Sequence, residues 1–166
     1  MFSFALYGRT GQGVRTASRI LAKALFNSGY QVQCLIPYAN GVQTGFVKID
    51  KAPISSRELA EPDFFLIFDT KIDAKLKYAK KGAVIILNSK EKPKIKTKNK
   101  TMIFYINATE ISISMTKKHM PNIIMIGALS KAFGKLPMKH MKNAIEEEGL
   151  GNQMQSLEEG FSSVKR

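Results

Sequence analysis

Apolar runs of strand length alternate with segments of helical periodicity through the first two thirds of the chain. In residues 14–27 the apolar side chains recur every three or four positions, which predicts a helix that Gly29 ends. Two more helices are predicted over residues 71–81, with Gly82 as the stop, and over residues 108–116, with Asn107 as the cap. Short apolar runs bounded by turn residues predict strands. These runs cover residues 1–6, 31–36, 46–50, 64–69, 83–87 and 102–106.

The last third of the chain changes character and shows only helical patterns. Three helices are predicted over residues 122–133, 138–147 and 154–164, separated by glycine and proline. Strands that alternate with helices indicate a sheet with right-handed crossovers. We therefore expect an α/β fold: a Rossmann-like three-layer sandwich with a mainly parallel sheet and a helical C-terminal third. The 166 residues show no repeat and no linker, so we expect a single domain over residues 1–166.

The composition is that of a globular protein with a strongly basic charge balance. Apolar residues make up 44% of the chain and charged residues 23%, which disfavours a disordered chain. Lysine and arginine number 26 against 13 acidic residues, so the net charge is +13. Such an excess attracts nucleic acids, anionic cofactors or acidic proteins without choosing among them. No apolar run approaches the roughly 18 residues of a membrane span, so we expect no membrane segment and a cytoplasmic protein.

Residue types that carry catalysis or bind metals are scarce. Cys34 is the only cysteine, which excludes an intrachain disulfide and a thiolate cluster and favours an intracellular location. His119 and His140 are the only histidines, and neither has a partner at metal-ligand spacing. No serine–histidine–aspartate or cysteine–histidine set can be assembled from them. We therefore expect no catalytic residue and no metal site, and a chain that positions something while the chemistry takes place on a partner.

A lysine-rich run follows the fifth predicted strand. Six of the eleven residues in 90–100 are lysine. A nucleic-acid interface normally interleaves arginines or aromatic residues with such a run, and this one contains neither. We interpret residues 90–100 as a solvated, mobile loop and expect no nucleic-acid partner. Binding of DNA or RNA with an affinity that falls steeply with salt would contradict that interpretation.

A glycine-rich loop between the first strand and the first helix is the leading candidate site. Gly8, Gly11 and Gly13 allow a sharp turn, and main-chain N–H groups at a helix N-terminus favour an anion. The loop is therefore either a phosphate cradle or only a tight strand-to-helix turn. A dinucleotide fingerprint is disfavoured because no acidic residue ends the second strand. A nucleotide-hydrolysing P-loop is disfavoured because Val14 and Arg15 stand where lysine and serine or threonine are required.

Motifs spread from residue 8 to residue 161 match one family in order. Residues 8–17 read G-R-T-G-Q-G-V-R-T-A, and residues 122–128 read N-I-I-M-I-G-A. Together with residues 46–54, 62–69, 84–89, 107–111 and 152–161, they resemble the gamma subunit of 2-oxoacid:ferredoxin oxidoreductases. This group includes the pyruvate, 2-oxoisovalerate and 2-oxoglutarate enzymes.

The chain departs from the family pattern in two places. Thr10 replaces the second glycine of the loop, which restricts φ at that position. The loop over residues 37–45 is shorter than in the family and lacks its acidic residue and its arginine. Contacts that the family attributes to that segment are therefore not carried over to this chain.

The resemblance implies a subunit of a complex that oxidatively decarboxylates a 2-oxoacid, pyruvate or a related acid, to acyl-CoA while it reduces ferredoxin. It implies alpha, beta and delta subunits as partners, and ferredoxin as a partner through the complex. Thiamine diphosphate, magnesium and iron–sulfur clusters are expected on those partner subunits, with none bound stably by this chain. Coenzyme A is the implied co-substrate. We expect the isolated chain to be inactive.

The predicted site is the surface that faces the partner subunits or coenzyme A. Arg9 is expected to meet a phosphate or a carboxylate there, and Asn122 either orients the same surface or only caps its helix. A stand-alone module that binds an anionic nucleotide without redox activity is the alternative function. The predicted site residues are Gly8, Arg9, Thr10, Gly11, Gln12, Gly13, Thr16 and Asn122.

Overall fold

A six-stranded sheet forms the centre of the computed structural model, which describes residues 1–37, 41–56, 58 and 61–166. The strand order is β2-β3-β1-β4-β5-β6. The neighbouring strands β1, β4, β5 and β6 run parallel, whereas β3 is antiparallel to both of its neighbours, β1 and β2. The predicted α/β fold with a mainly parallel sheet is confirmed. The strands are β1 (Phe2–Arg9), β2 (Gln31–Leu35), β3 (Val42–Asp50), β4 (Phe64–Ile67), β5 (Val84–Asn88) and β6 (Met102–Ile106).

Two strands are longer than their local patterns predict. β1 and β3 pair residue by residue, from Phe2 opposite Ile49 to Arg9 opposite Val42. Because this pairing holds both ends, β1 continues through the first glycine of the loop, and residues 42–45 of the predicted loop belong to β3. Residues 38–40 of the same predicted loop lie outside the described residues.

Five helices occur in the described part of the chain, and they lie where the apolar periodicity predicts them. Asn107 caps α2, since its side-chain oxygen accepts a hydrogen bond from the Glu110 N–H at 3.4 Å. Gly29 takes a φ of 83° after α1 and so ends that helix. None of these helices is long and apolar enough to cross a membrane. The helices are α1 (Val14–Asn27), α2 (Ala108–Thr116), α3 (Asn122–Phe133), α4 (Met138–Glu147) and α5 (Met154–Ser163).

Helix α3 is the buried centre of the helical layer. Ten of its twelve residues are buried, so it is enclosed on all sides and not amphipathic. It crosses α5 where Gly127 faces Gly160, and a Cβ on either glycine would overlap a backbone carbonyl of the other helix. The two backbones therefore touch, which fixes the position of α3 and of its first residue beside the glycine loop.

One face of the sheet is covered by helices and the other by irregular segments. Helices α1 and α3 pack directly on one face, against side chains such as Leu6, Leu66 and Ile86, and α4 and α5 pack on those two helices. The opposite face, which includes Ile67 and Ile85, is covered by irregular segments between residues 74 and 95. The sheet therefore lies between a helical layer and an irregular layer.

The predicted helix over residues 71–81 is wrong. Only a single 3-10 turn, Leu76–Tyr78, is present there. The carboxylates of Asp69 and Asp73 accept hydrogen bonds, each 2.9 Å, from the N–H groups of Lys71 and Lys75. Such local turns compete with helical hydrogen bonding, and Lys75 takes a left-handed φ of 53°.

Candidate functional site

The glycine loop lies at the carboxyl end of β1, where the chain turns into α1. Gly11 and Gly13 have φ values of 91° and 80°. A residue with a side chain pays roughly 1–2 kcal/mol for such a left-handed conformation. Gly8 serves a different purpose, since a Cβ there would lie 2.5 Å from Cγ2 of Val14. The three glycines therefore allow the helix to follow the strand in a tight turn, and around Gly11 a Cβ would meet only open space.

Hydrogen bonds from Gln12 and Thr10 hold the loop in place. The Gln12 side-chain oxygen accepts from the Arg9 N–H at 2.7 Å, and its amide nitrogen donates to the Phe68 carbonyl at 3.5 Å. The Thr10 N–H and hydroxyl both donate to the Gly41 carbonyl, at 2.9 and 3.2 Å. Both side chains thus form hydrogen bonds within the chain that shape the loop, Gln12 from a half-buried position and Thr10 from the surface.

Arg9 is held by an ion pair at the outer edge of the loop. Its Nε donates to a carboxylate oxygen of Asp69 at 2.5 Å. The Arg9 side chain is 57% exposed and that of Asp69 is 18% exposed. Burial alone would raise the pKa of Asp69, but the hydrogen bond from the Lys71 N–H and the Arg9 guanidinium outweigh it and lower that pKa. Asp69 therefore stays ionised and orients Arg9 beside the loop.

Asn122 lies beneath the loop, and not on its outer surface. It is completely buried, and neither atom of its amide has a hydrogen-bond partner among the described residues. A Cβ on Gly13 would lie 2.5 Å from the Asn122 amide nitrogen, so the two residues are in direct contact. An unpaired buried amide costs about 1–3 kcal/mol. The tertiary structure thus brings Asn122 to the predicted site, as a polar group without a hydrogen-bond partner in the described part of the chain.

The first turn of α1 offers uncompensated donors. Its capping residue, Gly13, provides no side-chain hydrogen bond, and no acidic residue lies in that turn. Arg15, which the predicted set does not include, is exposed in the same turn, and Thr16 is half-buried. A cation at a helix N-terminus interacts unfavourably with the helix dipole. A bound anion would neutralise that charge and accept hydrogen bonds from the first N–H groups of the helix. The arrangement can therefore accept a phosphate or a carboxylate.

A second polar group that sequence reasoning missed continues along the same edge of the sheet. The Asn88 amide, at the end of β5, donates to the Phe68 carbonyl at 3.0 Å and to the Thr109 hydroxyl at 2.8 Å. Gln12 donates to that same carbonyl. The loop is therefore linked across β4 to β5 and α2. The only sequence signal is a polar residue directly after a buried strand, which in open α/β sheets marks the edge where ligands bind.

Candidate metal ligands do not gather in the described part of the chain. No group of three or more histidine, cysteine, aspartate or glutamate side chains is close enough there to hold a metal ion.

Comparison with known proteins identifies the family. Residues 3–162 match the family model described as pyruvate ferredoxin/flavodoxin oxidoreductase. This chain belongs to that family. The common subunit gamma of the pyruvate/ketoisovalerate oxidoreductases of Thermococcus kodakarensis is 30% identical over 159 residues, which cover 89% of this chain and 86% of the relative. The predicted resemblance to gamma subunits is confirmed.

Solved structures of relatives share the fold. The crystal structure of pyruvate oxidoreductase subunit PORC from Thermotoga maritima superimposes with a TM-score of 0.81 at 25% identity, over 99% of this chain and 97% of that one. The 2-oxoglutarate:ferredoxin oxidoreductase of Magnetococcus marinus gives a TM-score of 0.82 over 97% of this chain. That match covers 30% of the longer Magnetococcus chain at 16% identity, so it shows the fold alone. The roles of the individual site residues stay predictions.

Proposed function

We propose that this chain is the gamma subunit of a complex that oxidises a 2-oxoacid with coenzyme A and ferredoxin. The complex converts the 2-oxoacid, pyruvate or a related acid, to acyl-CoA and carbon dioxide, and two electrons pass to ferredoxin. The family match over residues 3–162 and the gamma-subunit relatives support this proposal. The chain provides a binding surface, and the bond-breaking chemistry takes place on its partners.

The glycine loop is the observation that carries the coenzyme A part of the proposal. The uncapped first turn of α1, the exposed Arg15 and the oriented Arg9 all lie at one end of the sheet. Coenzyme A is rich in phosphates, and a helix N-terminus with nearby guanidinium groups binds phosphates favourably. Gly11 has open space where a side chain would otherwise stand, so the phosphate can approach the backbone. Gln12 and Thr10 hold the loop in this shape through their hydrogen bonds, and Asn122 packs beneath it.

The remaining cofactors belong to the partner subunits in this proposal. Alpha, beta and delta subunits hold thiamine diphosphate, magnesium and the iron–sulfur clusters, which together supply the decarboxylation and the electron transfer. The gamma subunit packs against them and forms one side of the coenzyme A site. The isolated chain is accordingly inactive, and the complex operates in the cytoplasm.

Co-purification from the native source tests the assignment as a subunit. We expect the tagged chain to recover stoichiometric amounts of larger proteins, and we expect the recovered material to contain thiamine diphosphate and iron. The alternative, a stand-alone module for an anionic nucleotide, predicts a monomer or homodimer without such partners. Mass spectrometry of the purified material decides between these outcomes.

Arginine variants of the assembled complex test the coenzyme A site. Arg15→Ala and Arg9→Ala should each raise the KM for coenzyme A by about three- to tenfold, since each removes a charge near a phosphate. The KM for the 2-oxoacid and the subunit composition should not change. Arg166→Ala, which removes an exposed arginine at the last residue, is the matched control. If Arg9 and Arg15 variants retain the wild-type KM for coenzyme A, the loop does not bind its phosphates.

A further inference from the structure

The net charge of the protein is concentrated in one fifth of the chain. Residues 69–100 contain eleven lysines, three acidic residues and no arginine, so this segment has a net charge of +8. The other 134 residues together have a net charge of +5. The basic character of the protein is therefore mostly a property of the irregular layer that covers the second face of the sheet.

Tertiary contacts bring the two lysine-rich stretches of this layer side by side. The Lys98 N–H donates to the Lys77 carbonyl at 3.1 Å, and the Gly82 N–H donates to the Lys100 carbonyl at 2.9 Å. The Asn99 amide donates to the Ala79 carbonyl at 2.9 Å. Residues 71–81 and 90–100 thus form one surface, the lysine face, although the strand β5 separates them in sequence.

Burial alternates along the second stretch. Pro93, Ile95 and Thr97 are half-buried, and Ile95 packs beneath the layer against the apolar side chains of the sheet. Lys92, Lys94, Lys96 and Lys98 are exposed. The Cα atoms of successive exposed lysines are at most about 7 Å apart, because two residues of extended backbone span no more than that distance. The alternation therefore directs a row of ammonium groups to the same side.

This row concentrates like charges on one exposed segment. At physiological salt the Debye length is about 8 Å, so neighbouring ammonium groups of the row repel one another. None of Lys92, Lys94 and Lys96 forms an ion pair with a described residue. The packing of the layer depends on the half-buried residues between them, and not on their charges. Lys92, Lys94 and Lys96 are therefore available to pair with carboxylates of another molecule.

We propose that the lysine face is a docking surface for a protein that presents a carboxylate-rich surface. Lysine ammonium groups are hydrated point charges on flexible stems, which suit electrostatic steering of a transient protein partner. A nucleic-acid surface would need arginines or aromatic side chains to stack on bases, and residues 69–100 contain one aromatic residue, Tyr78. An acidic protein is therefore favoured over a nucleic acid. This proposal is independent of the coenzyme A site.

A pair of charge-matched variants of the full-length chain tests the position of the surface. The face variant carries Lys92→Gln, Lys94→Gln and Lys96→Gln, and the control carries Lys117→Gln, Lys118→Gln and Lys139→Gln, which replace exposed lysines on helices α2 and α4 or beside them. Fluorescence anisotropy measures binding of a labelled oligoglutamate peptide. The face variant should bind about five- to tenfold more weakly than wild type, and the control less than about twofold more weakly. Equal losses in the two variants would show that only net charge matters and would overturn the proposal.

Carbodiimide cross-linking locates the contact directly. Wild-type protein with the oligoglutamate peptide should form amide bonds mainly at Lys92, Lys94, Lys96 and Lys100, as mapped by mass spectrometry. Cross-links spread evenly over all exposed lysines would contradict the proposal.

Two further measurements exclude other roles for the lysines. The face variant should melt at the same or a higher temperature than wild type, and a lower melting temperature would show that the lysines serve the fold. An oligothymidylate of matched charge should bind no more tightly than the peptide. Binding of that DNA tenfold more tightly than the peptide at equal salt would assign the face to nucleic acid instead.

Discussion

Replacing Gly13 by alanine tests the contact between the glycine loop and helix α3. The new residue would keep a left-handed φ of 80°, and its Cβ would lie 2.5 Å from the Asn122 amide nitrogen and 2.9 Å from the Asn122 Cβ. The φ strain costs roughly 1–2 kcal/mol, of which about 0.4–1 kcal/mol is offset because alanine restricts the unfolded chain. Crowding in a packed core adds about 1–3 kcal/mol. We therefore expect Gly13→Ala to lower the free energy of unfolding by about 2–4 kcal/mol.

Gly11→Ala provides the matched control for that experiment. Gly11 has a φ of 91°, and a Cβ there would meet no atom within 4 Å. This variant therefore carries the φ strain without the steric overlap, and we expect a loss near 1 kcal/mol. For a chain of this size the melting temperature should fall by about 2–4 °C for each kcal/mol. The expected decreases are thus about 2–4 °C for Gly11→Ala and about 5–15 °C for Gly13→Ala.

The experiment is completed by measuring both single variants, Asn122→Ala alone, and each glycine variant combined with Asn122→Ala. Urea unfolding and thermal scans give the stability of each protein. Removing the Asn122 amide takes away the two closest contacts of the Gly13→Ala side chain, so the double variant should recover about 1 kcal/mol relative to additivity. The Gly11→Ala variant should show no such coupling. Equal losses for Gly11→Ala and Gly13→Ala, without coupling to Asn122, would mean that Gly13 only makes a turn and that the reasoning about this contact is wrong.

Three other predictions follow from the same structure, one of them with a control substitution. Asn122→Leu replaces an unpaired buried amide by an apolar group of similar size, so urea unfolding should show a change below about 1 kcal/mol, and a loss above about 3 kcal/mol would reveal a polar partner. Gly160→Ala places a Cβ against the Ile124 carbonyl, so it should lower the free energy of unfolding by more than about 4 kcal/mol or prevent folding. Its control, Gly149→Ala, has open space around the new Cβ and should lower it by about 1 kcal/mol. The pKa of Asp69 is lowered in the folded protein, so its ionised form contributes stability above the pKa of the unfolded chain, and this contribution is lost as the pH falls through the folded pKa. Asp69→Asn should therefore be less stable than wild type at neutral pH and approach it below about pH 4, and melting curves with a pH-independent difference would contradict the ion pair.

Much of the fold follows from local patterns. The helices α1 and α4 begin and end where the apolar pattern predicts, because each buries a face that its own periodicity defines. Helix α3 and strand β6 also match their predicted bounds, as apolar runs between turn residues. The helix predicted over residues 71–81 does not form, because local turns and contacts with distant segments outweigh its apolar pattern. Its pattern suits a helix, but Asp69 and Asp73 close local turns, and the stretch is packed flat against the sheet and the lysine-rich segment. Non-local pairing also decides the strand boundaries, since β1 and β3 extend each other.

The glycine spacing predicted the candidate site only as a segment of chain, and the family resemblance added Asn122 to it. The glycine spacing marks residues 8–13 as a turn before a helix, but it does not show what each side chain does. Gln12 hydrogen-bonds to the residue after β4, Arg9 pairs with Asp69, and Asn122 lies under Gly13, each across more than fifty residues of sequence. Arg15 and Asn88 were missed, because a charge in a first helical turn and a polar residue after a strand have many ordinary explanations.

The sequence by itself determined most of the elements, the basic charge and the family, because periodicity, composition and ordered motifs are properties of the chain in one dimension. The tertiary structure decided which of these features meet. It placed a buried amide beneath the glycine loop, joined an arginine to an aspartate at the end of another strand, and aligned two lysine-rich stretches on one surface. These outcomes depend on burial and on contacts between distant residues, which local pattern does not encode.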